Sequence, residues 1–526
     1  MWYSGRTFEA KRINSMENEL KEPVIIMLDN ACTEDSIAIL WEKVEAAVGY
    51  EVFVEDAFLA TTESTDYTVE GLEPGGEYEV YVAAIGGDGQ RAKSEPVVLH
   101  TAARGRVLDI TDYGAVASEI DNPIMADTQR LYDCTEAVQR AIDECGVGDI
   151  VYVPEGTYVT GALFLKSDMT LKVDGRLFGS SRLADYPVMS YRFEGRESDC
   201  YASLINTADG EHANITICGN GSIDANGRKL FMEIMKEKKA VRGRAVCIRN
   251  TDGLYIKDIT IRQSPAWCLH TIYCRNVALN NVKIFTKYAE DGRRYEDIFN
   301  GDGFDPDSCS NVYVFNCLIG SQDDCIAVKS GRDAEGRAVG IPSEDIRISN
   351  CSFTSGFGVA VGSETSGDVR RVLVQDCVFK DTYSFASVKS PRGRGSMVED
   401  IIYENCVHDN TSTEHHDCRW FRGALYVDEF YSVEEFDENS AEPVNEGTPH
   451  IRNVHFKNID TKTVAGNAVF ITGLVESPLE NITLENIRAE GLYGMKANNV
   501  DGMSLKAVQV KGLNGPDYIF NNVKIM

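Results

Sequence analysis

From about residue 200 to the C-terminus one hydrophobic pattern recurs. An Asn or Asp is followed by apolar residues at alternate positions, then by Asn-Cys or Asn-Ile, then by a second short apolar run. Its instances are "NITICGNGSI" (214–223), "GLYIKDITI" (253–261), "NVALNNVKI" (276–284), "NVYVFNCLI" (311–319), "DIRISNCSF" (345–353), "RVLVQDCVF" (371–379), "DIIYENCVH" (400–408), "NVHFKNIDT" (453–461) and "NITLENIRA" (481–489). Alternation with a period of two predicts strands that bury one face. The interval is irregular, roughly 20 to 40 residues with one longer gap near 410–450, which fits a solenoid carrying loop insertions on one face. Stacked coils would pair their strands in parallel and align the corner Asn and Cys residues as internal ladders. The predicted fold class is all-β, a right-handed parallel β-helix. An antiparallel β-sandwich would also explain the alternation, but not repeated corners of one chemistry.

Ahead of the repeats the period changes. In "CTEAVQRAIDECG" (134–146) Ala137, Val138, Ala141 and Ile142 share one helical face. Thr135 suits the N-cap and Gly146 the C-terminal stop. Such a helix would cover the open end of a sheet structure, which otherwise invites aggregation. Residues 148–175 then read as strand, turn, strand. Residues 22–103 form a separate small all-β unit, with strands in "SIAILWEKV" (36–44), "YEVFVE" (50–55) and "YEVYVAAI" (78–85). Turn chemistry such as "EPGGE" separates them. Trp41 on an early strand and Tyr78 after "LEPGG" resemble the fibronectin type III pattern, in which the tyrosine braces a corner of the sandwich. The organisation predicted is an extension (1–21), a fibronectin type III-like β-sandwich (22–103) acting as spacer or packing module, and a β-helix (107–526).

Composition narrows the function classes. The chain has 526 residues and a formal net charge of −30. That charge argues against non-specific binding to nucleic acid or anionic membranes. It also means that a polyanionic substrate would need a local basic patch. No stretch approaches the roughly 20 apolar residues of a membrane span. The first residues lack an apolar signal core, so the expected location is cytoplasmic, or secreted if a signal has been removed. The 15 cysteines are scattered with no CxxC pair, which argues against zinc and for small core residues in a reducing compartment.

Candidate chemistry lies in "SQDDCIAVKSG" (321–331), where Asp323 and Asp324 precede an apolar run, and in "NGDGFDPDS" (300–308). Asp302 precedes Asp323 by 21 residues, one compact coil, so three carboxylates can share one patch of a solenoid wall. A calcium loop does not fit, because the fifth position from Asn300 is Phe304 and no glutamate stands at the twelfth. Clustered carboxylates push their pKa values apart, so one stays protonated while others remain ionised. Glycoside hydrolysis uses that combination. Consecutive strand residues face opposite sides, so both members of the pair reach one cleft only if the chain bends at "GSQDD". Two later segments complete the picture. "SGFGVAVGSETSG" (355–367) places Phe357 33 residues after Asp324. "SVKSPRGRGSMVED" (387–400) places Lys389 a further 32 on, in a basic cluster with Arg392 and Arg394 that could attract a carboxylate.

At these residues the chain resembles glycoside hydrolase family 28, the polygalacturonase family of right-handed β-helices. "IVYVPEGTYVTGALFLKS", "RGRAVCIRNTDGLYIKDITIRQSPAWCLH", "NGDGFDPDS", "SQDDCIAVKSG", "VGSETSGDVRRV" and "PRGRGSMVEDI" carry the resemblance across 107–526. Tyr431 in "DEFY" resembles a cleft-lining tyrosine. The N-terminal module and "YRFEGRESDCYASLI" (191–205) resemble bacterial exo-acting members. The resemblance implies Asp323 as general acid, and Asp302 and Asp324 as the pair that positions and deprotonates water, with inversion in a single displacement. It implies Asn300, Phe357, Lys389, Arg392, Arg394 and Tyr431 as substrate-binding positions, with Lys389 on a substrate carboxylate.

Two positions depart from the family pattern, Phe357 where histidine is usual and Ser387 where arginine is usual. They imply an altered leaving-side subsite. The expected activity is inverting cleavage of α-galacturonosyl linkages in pectin-derived oligosaccharides, from chain ends, with no metal or cofactor. The alternatives are a rhamnogalacturonan- or xylogalacturonan-directed hydrolase of the same family, and a non-catalytic carbohydrate-binding β-helix.

Overall fold

A computed structural model describes residues 20–28, 30–120, 122–289, 292–295, 298–414, 420–433 and 435–526. The chain divides into two compact units at Ala103/Arg104. Nearly all of the predicted extension lies outside the described residues.

The first unit is built from short antiparallel strands. Ser36–Trp41 pairs with Asp66–Glu70, and Ala47–Val54 lies between Ala57–Thr62 and Glu77–Gly86. Ile37, Ile39, Trp41, Tyr50, Val52, Val80 and Val82 form its core. Trp41 is fully buried against Tyr50. The Tyr78 hydroxyl accepts from the Glu73 amide at 2.8 Å, so the tyrosine does brace the preceding corner.

The second unit is a parallel β-helix with three short strands per coil. In one coil these are Phe304–Asp307, Ser310–Phe315 and Leu318–Gly320; in the next they are Ile326–Val328, Ser343–Ser349 and Ser352–Ser355. Each strand pairs in parallel with its counterpart one coil away, as in Val312↔Ile346↔Val372↔Ile401. The inward positions of every coil meet in one continuous apolar core. This excludes the antiparallel sandwich as the fold of this unit.

The recurring corners have a two-part cause. Their Asn residues occupy the left-handed region, for example Asn316 (φ 57°), Asn350 (φ 54°) and Asn405 (φ 54°). Asn tolerates that conformation better than most side chains. The Cys that follows is a small core residue. Cys317, Cys351, Cys377 and Cys406 stack in register, each at most 2% exposed. The expected internal ladders therefore hold for cysteine only. The asparagines ladder on the outside, as in Asn405–Asn458–Asn486, where each amide donates to the coil before at 2.8 Å.

The predicted helix forms over Thr135–Glu144 and buries Ala137, Val138, Ala141 and Ile142 in the first coils. Thr135 is its first residue rather than its cap. Asp133, two residues earlier, accepts from the Thr135 amide at 2.9 Å and satisfies an orphan N–H in its place.

Candidate active site

The acids stand where strand gives way to loop. Phe304, Cys325, Ile326 and Val328 drop into the core, so the chain entering each strand must turn its polar residues outward. Residues 322 and 323 form the bend that the Asp-Asp pair requires. The Ser321 hydroxyl donates to the Asp323 carbonyl at 2.6 Å, and the Asp324 amide donates to the Asp323 carboxylate at 3.0 Å. Gly356 underlies the bend at φ +86°. A Cβ there would lie 2.2 Å from both the Asp323 carbonyl and the Ser321 hydroxyl.

The coil step here is 22 residues, since Phe304 pairs with Ile326. Asp302 therefore lies opposite Asp324, not Asp323 as a 21-residue step implied. One carboxylate oxygen from each of Asp302, Asp323 and Asp324 lies within 4.8 Å of the others. The next steps are 33 and then 27 residues. Phe357 thus follows Asp324 in register, while Lys389 lies five positions beyond that register, opposite Gly362. Its Nζ nevertheless sits 2.7 Å from the Asp324 carboxylate, because the chain bends at residues 322 and 323 instead of continuing the strand. The half-buried Tyr431 lies over the same ammonium, 5.0 Å from ring centroid to Nζ.

The cations are distributed unequally. Asp324 has Lys389, and Asp302 has Lys329 at 3.9 Å. Asp323 has no cation within ion-pair distance among the described residues. Burial, reinforced by Asp324, pushes the Asp323 carboxyl up to about 6. Burial, then the charges of Asp305 and Asp323, raises Asp302 well above the ordinary range. Burial would lower Lys389, but Asp324 overrides it and keeps the ammonium charged. The arrangement can therefore hold a proton on one side of a small space and an ionised carboxylate on the other.

Behind the acids lies a buried charged layer that sequence reasoning missed. Lys329 sits 3.5 Å from Asp305, 3.2 Å from Glu364 and 5.0 Å from the Trp267 ring centroid. Asp307 sits 3.0 Å from Arg192 and 3.6 Å from His270. Burial pushes Asp305 up to about 8 despite Lys329, and pushes the His270 imidazole down to about 3. Asp305 and Asp307 follow Asp302 in the quoted "DGFDPDS", and Lys329 lies one coil from Asp307. The coil step alone would have exposed those three. Arg192 and Glu364 come from a distant hairpin and a later coil, and carry no local signal.

The remaining sequence candidates separate. Asn300 accepts from the Arg242 guanidinium at 2.6 Å beside Asp302. Phe357, 5% exposed, packs with Tyr383, Phe421 and Ala465. Ser387 is fully buried in the strand of Lys389. Arg392 is held by Glu476 at 2.6 Å and Glu442 at 3.4 Å. Arg394 is held by Asp333 and the Ser363 carbonyl, both at 2.5 Å. Of the basic cluster, Lys389 alone is paired with one of the three acids.

Comparison with known proteins fits this geometry. The model described as glycosyl hydrolases family 28 matches residues 146–511, and the fibronectin type III domain model matches 27–100. The chain belongs to glycosyl hydrolases family 28. It is thus a glycoside hydrolase, with a β-helix and an N-terminal fibronectin type III domain. It is 29% identical over 412 residues to a probable polygalacturonase of Vitis vinifera, covering 73% of this chain and 77% of that protein. It is 30% identical over 402 residues to an exo-poly-alpha-D-galacturonosidase of Dickeya chrysanthemi, covering 66% and 62%. Among solved structures, a family 28 exopolygalacturonase of Yersinia enterocolitica superposes with a TM-score of 0.78 at 20% identity, over 96% of this chain and 99% of that one. At that identity the likeness speaks to the fold of this family 28 chain.

Proposed function

We propose that the protein hydrolyses α-galacturonosyl linkages of pectin-derived oligosaccharides from chain ends, with inversion at the anomeric carbon. The convergence of Asp302, Asp323 and Asp324 within 4.8 Å, with cations on two of the three, is the observation that carries this reading. Asp323, the acid without a paired cation, protonates the departing glycosidic oxygen. Asp302 and Asp324 hold the water, and Asp324, paired with Lys389, takes its proton as it attacks the opposite face of the sugar. Lys389 and Tyr431 receive the leaving-side sugar, where an ammonium suits a uronate carboxylate.

The hairpin Val188–Phe193/Arg196–Tyr201 supports chain-end action. Its turn end is anchored by Arg192 on Asp307 and by Arg196 on Asp333, and Phe193 stacks on Trp267 at 4.7 Å. A wall fixed this close to the acids shortens the space for sugars on their N-terminal side. A second reading, a rhamnose-bearing leaving group, is favoured by Phe357 and Ser387, which offer neither an imidazole nor a guanidinium. Time-resolved chromatography of digests of homogalacturonan, rhamnogalacturonan and xylogalacturonan oligomers tests both. Release of short products from homogalacturonan ends supports the first reading, and products from rhamnogalacturonan alone support the second. No release from any of them refutes hydrolysis of pectic chains.

A further inference from the structure

Arg242 is 5% exposed and Arg244 1% exposed, on the segment that leads into strand Val246–Arg249. That strand lies two coils before Phe304–Asp307, on the opposite side of the acids from Lys389. The Arg242 guanidinium donates to the carbonyls of Phe299 and Pro265 and to the Asn300 amide oxygen. All three acceptors are neutral. No carboxylate lies within ion-pair distance of Arg242 or Arg244 among the described residues. A guanidinium has five N–H donors, so Arg242 keeps two unspent. Aromatic rings enclose it. The Phe299 ring lies 4.2 Å away, with Phe193 at 5.5 Å and Phe231 at 5.7 Å. Two adjacent buried cations with no carboxylate in direct contact among the described residues are unfavourable unless something anionic is present when the site works. Its bond to Asn300, two residues before Asp302, places Arg242 beside the reacting centre, and the charges of Glu194 and, after it, Asp302 and Asp323 reach it without any of them forming an ion pair with it. Phe299 is 52% exposed, so the aromatic enclosure of Arg242 reaches solvent on that side.

We infer that Arg242 receives the carboxylate of the substrate's terminal uronate on the glycone side of the acids, with Phe299 against the sugar face. Arg244 braces Arg242 from behind by donating to its carbonyl at 3.3 Å. The chain end would then be read by one cation on each flank, Arg242 before the acids and Lys389 after them. The inference rests on the galacturonosidase reading, and its test separates the two.

The test compares kcat/KM on trigalacturonate with kcat/KM on the same trimer whose non-reducing-end carboxyl has been reduced to the alcohol. Wild type, Arg242→Gln and Arg242→Lys are assayed, with melting temperature as the fold control. The expected result is a preference of wild type for the uronate terminus of about 10- to 100-fold, as for a charge-assisted hydrogen bond of roughly 1.5–3 kcal/mol. Arg242→Gln abolishes that preference and Arg242→Lys keeps part of it. An Arg242→Gln enzyme that retains the preference but shifts its pH profile overturns the inference, because Arg242 would then serve only as a distant counter-charge for the acids. Should Arg242→Gln fail to fold, a wild-type Arg242→Lys ratio overturns it and a reduced one supports it. Should wild type cleave neither trimer, the hydrolytic reading fails. The subsite is then decided by calorimetry, in which galacturonate but not galactose must bind to wild type and must be lost in a folded Arg242 variant.

Discussion

Asp323→Asn should inactivate the protein and at the same time stabilise it. The asparagine keeps the shape and the oxygen that accepts the Asp324 amide, but it cannot ionise. Wild-type Asp323 is raised from 3.8 to about 6 by burial and by Asp324. A folded-state pKa above the unfolded value means that the folded form binds the proton more tightly. That stabilisation is complete below pH 4 and is lost as pH rises through about 6. At 1.36 kcal/mol per unit the loss approaches about 3 kcal/mol by pH 8. The variant does not incur it. For a unit of about 400 residues this corresponds to an apparent Tm gain of about 3–4 °C, taking about 2.1 cal/mol/K per residue. Thermal melts of both proteins from pH 4 to pH 8, with activity measured alongside, are the assay. The Tm gap should open between pH 4 and pH 7 while kcat falls by about 10²–10⁴. A gap that is absent, negative or independent of pH would refute the argument that repulsion and burial hold a proton on Asp323.

Other outcomes follow from the same geometry. Wild-type kcat/KM should fall above about pH 6 as Asp323 loses its proton, and a pH–rate profile that keeps rising to pH 8 would exclude it as the acid. Lys389→Met should lose activity and about 3–5 kcal/mol of stability, because Asp324 is left buried without its cation; adding Asp324→Asn should recover much of the stability in melts and none of the activity. Arg394→Gln should lower Tm yet leave KM near wild type, since its guanidinium is spent on Asp333 and Ser363; a KM change without a Tm change would return it to the substrate. Dialysis against EDTA should leave the rate unchanged, as Lys389 and Lys329 already supply positive charge to the acidic cluster.

Much of this was legible in the chain because a solenoid turns sequence spacing into spatial order. Alternation in "NVYVFNCLI" and its siblings gave the strands, and the Asn corners gave the turns. The three aspartates could be brought together from spacing alone. What spacing could not supply was the exact coil step. A 21-residue guess put Asp302 opposite Asp323, whereas the 22-residue step puts it opposite Asp324. Lys389 shows the same limit, since it meets Asp324 although it stands five positions beyond that residue's register. Charge clusters were the least legible feature. Lys389, Arg392 and Arg394 look alike in sequence, but two of them are spent on Glu476 and Asp333. Arg242 stood in a quoted motif with no signal of its own, because its significance lies in having no carboxylate in ion-pair contact among the described residues, which only packing reveals.

The central claim is that three carboxylates displace a uronate in one step. Proton NMR of the first products released from an oligogalacturonate tests it most directly. The account predicts that the new reducing end appears as the β-anomer and only later equilibrates with α. Initial release of the α-anomer would contradict single displacement, and no release at all would contradict the hydrolysis.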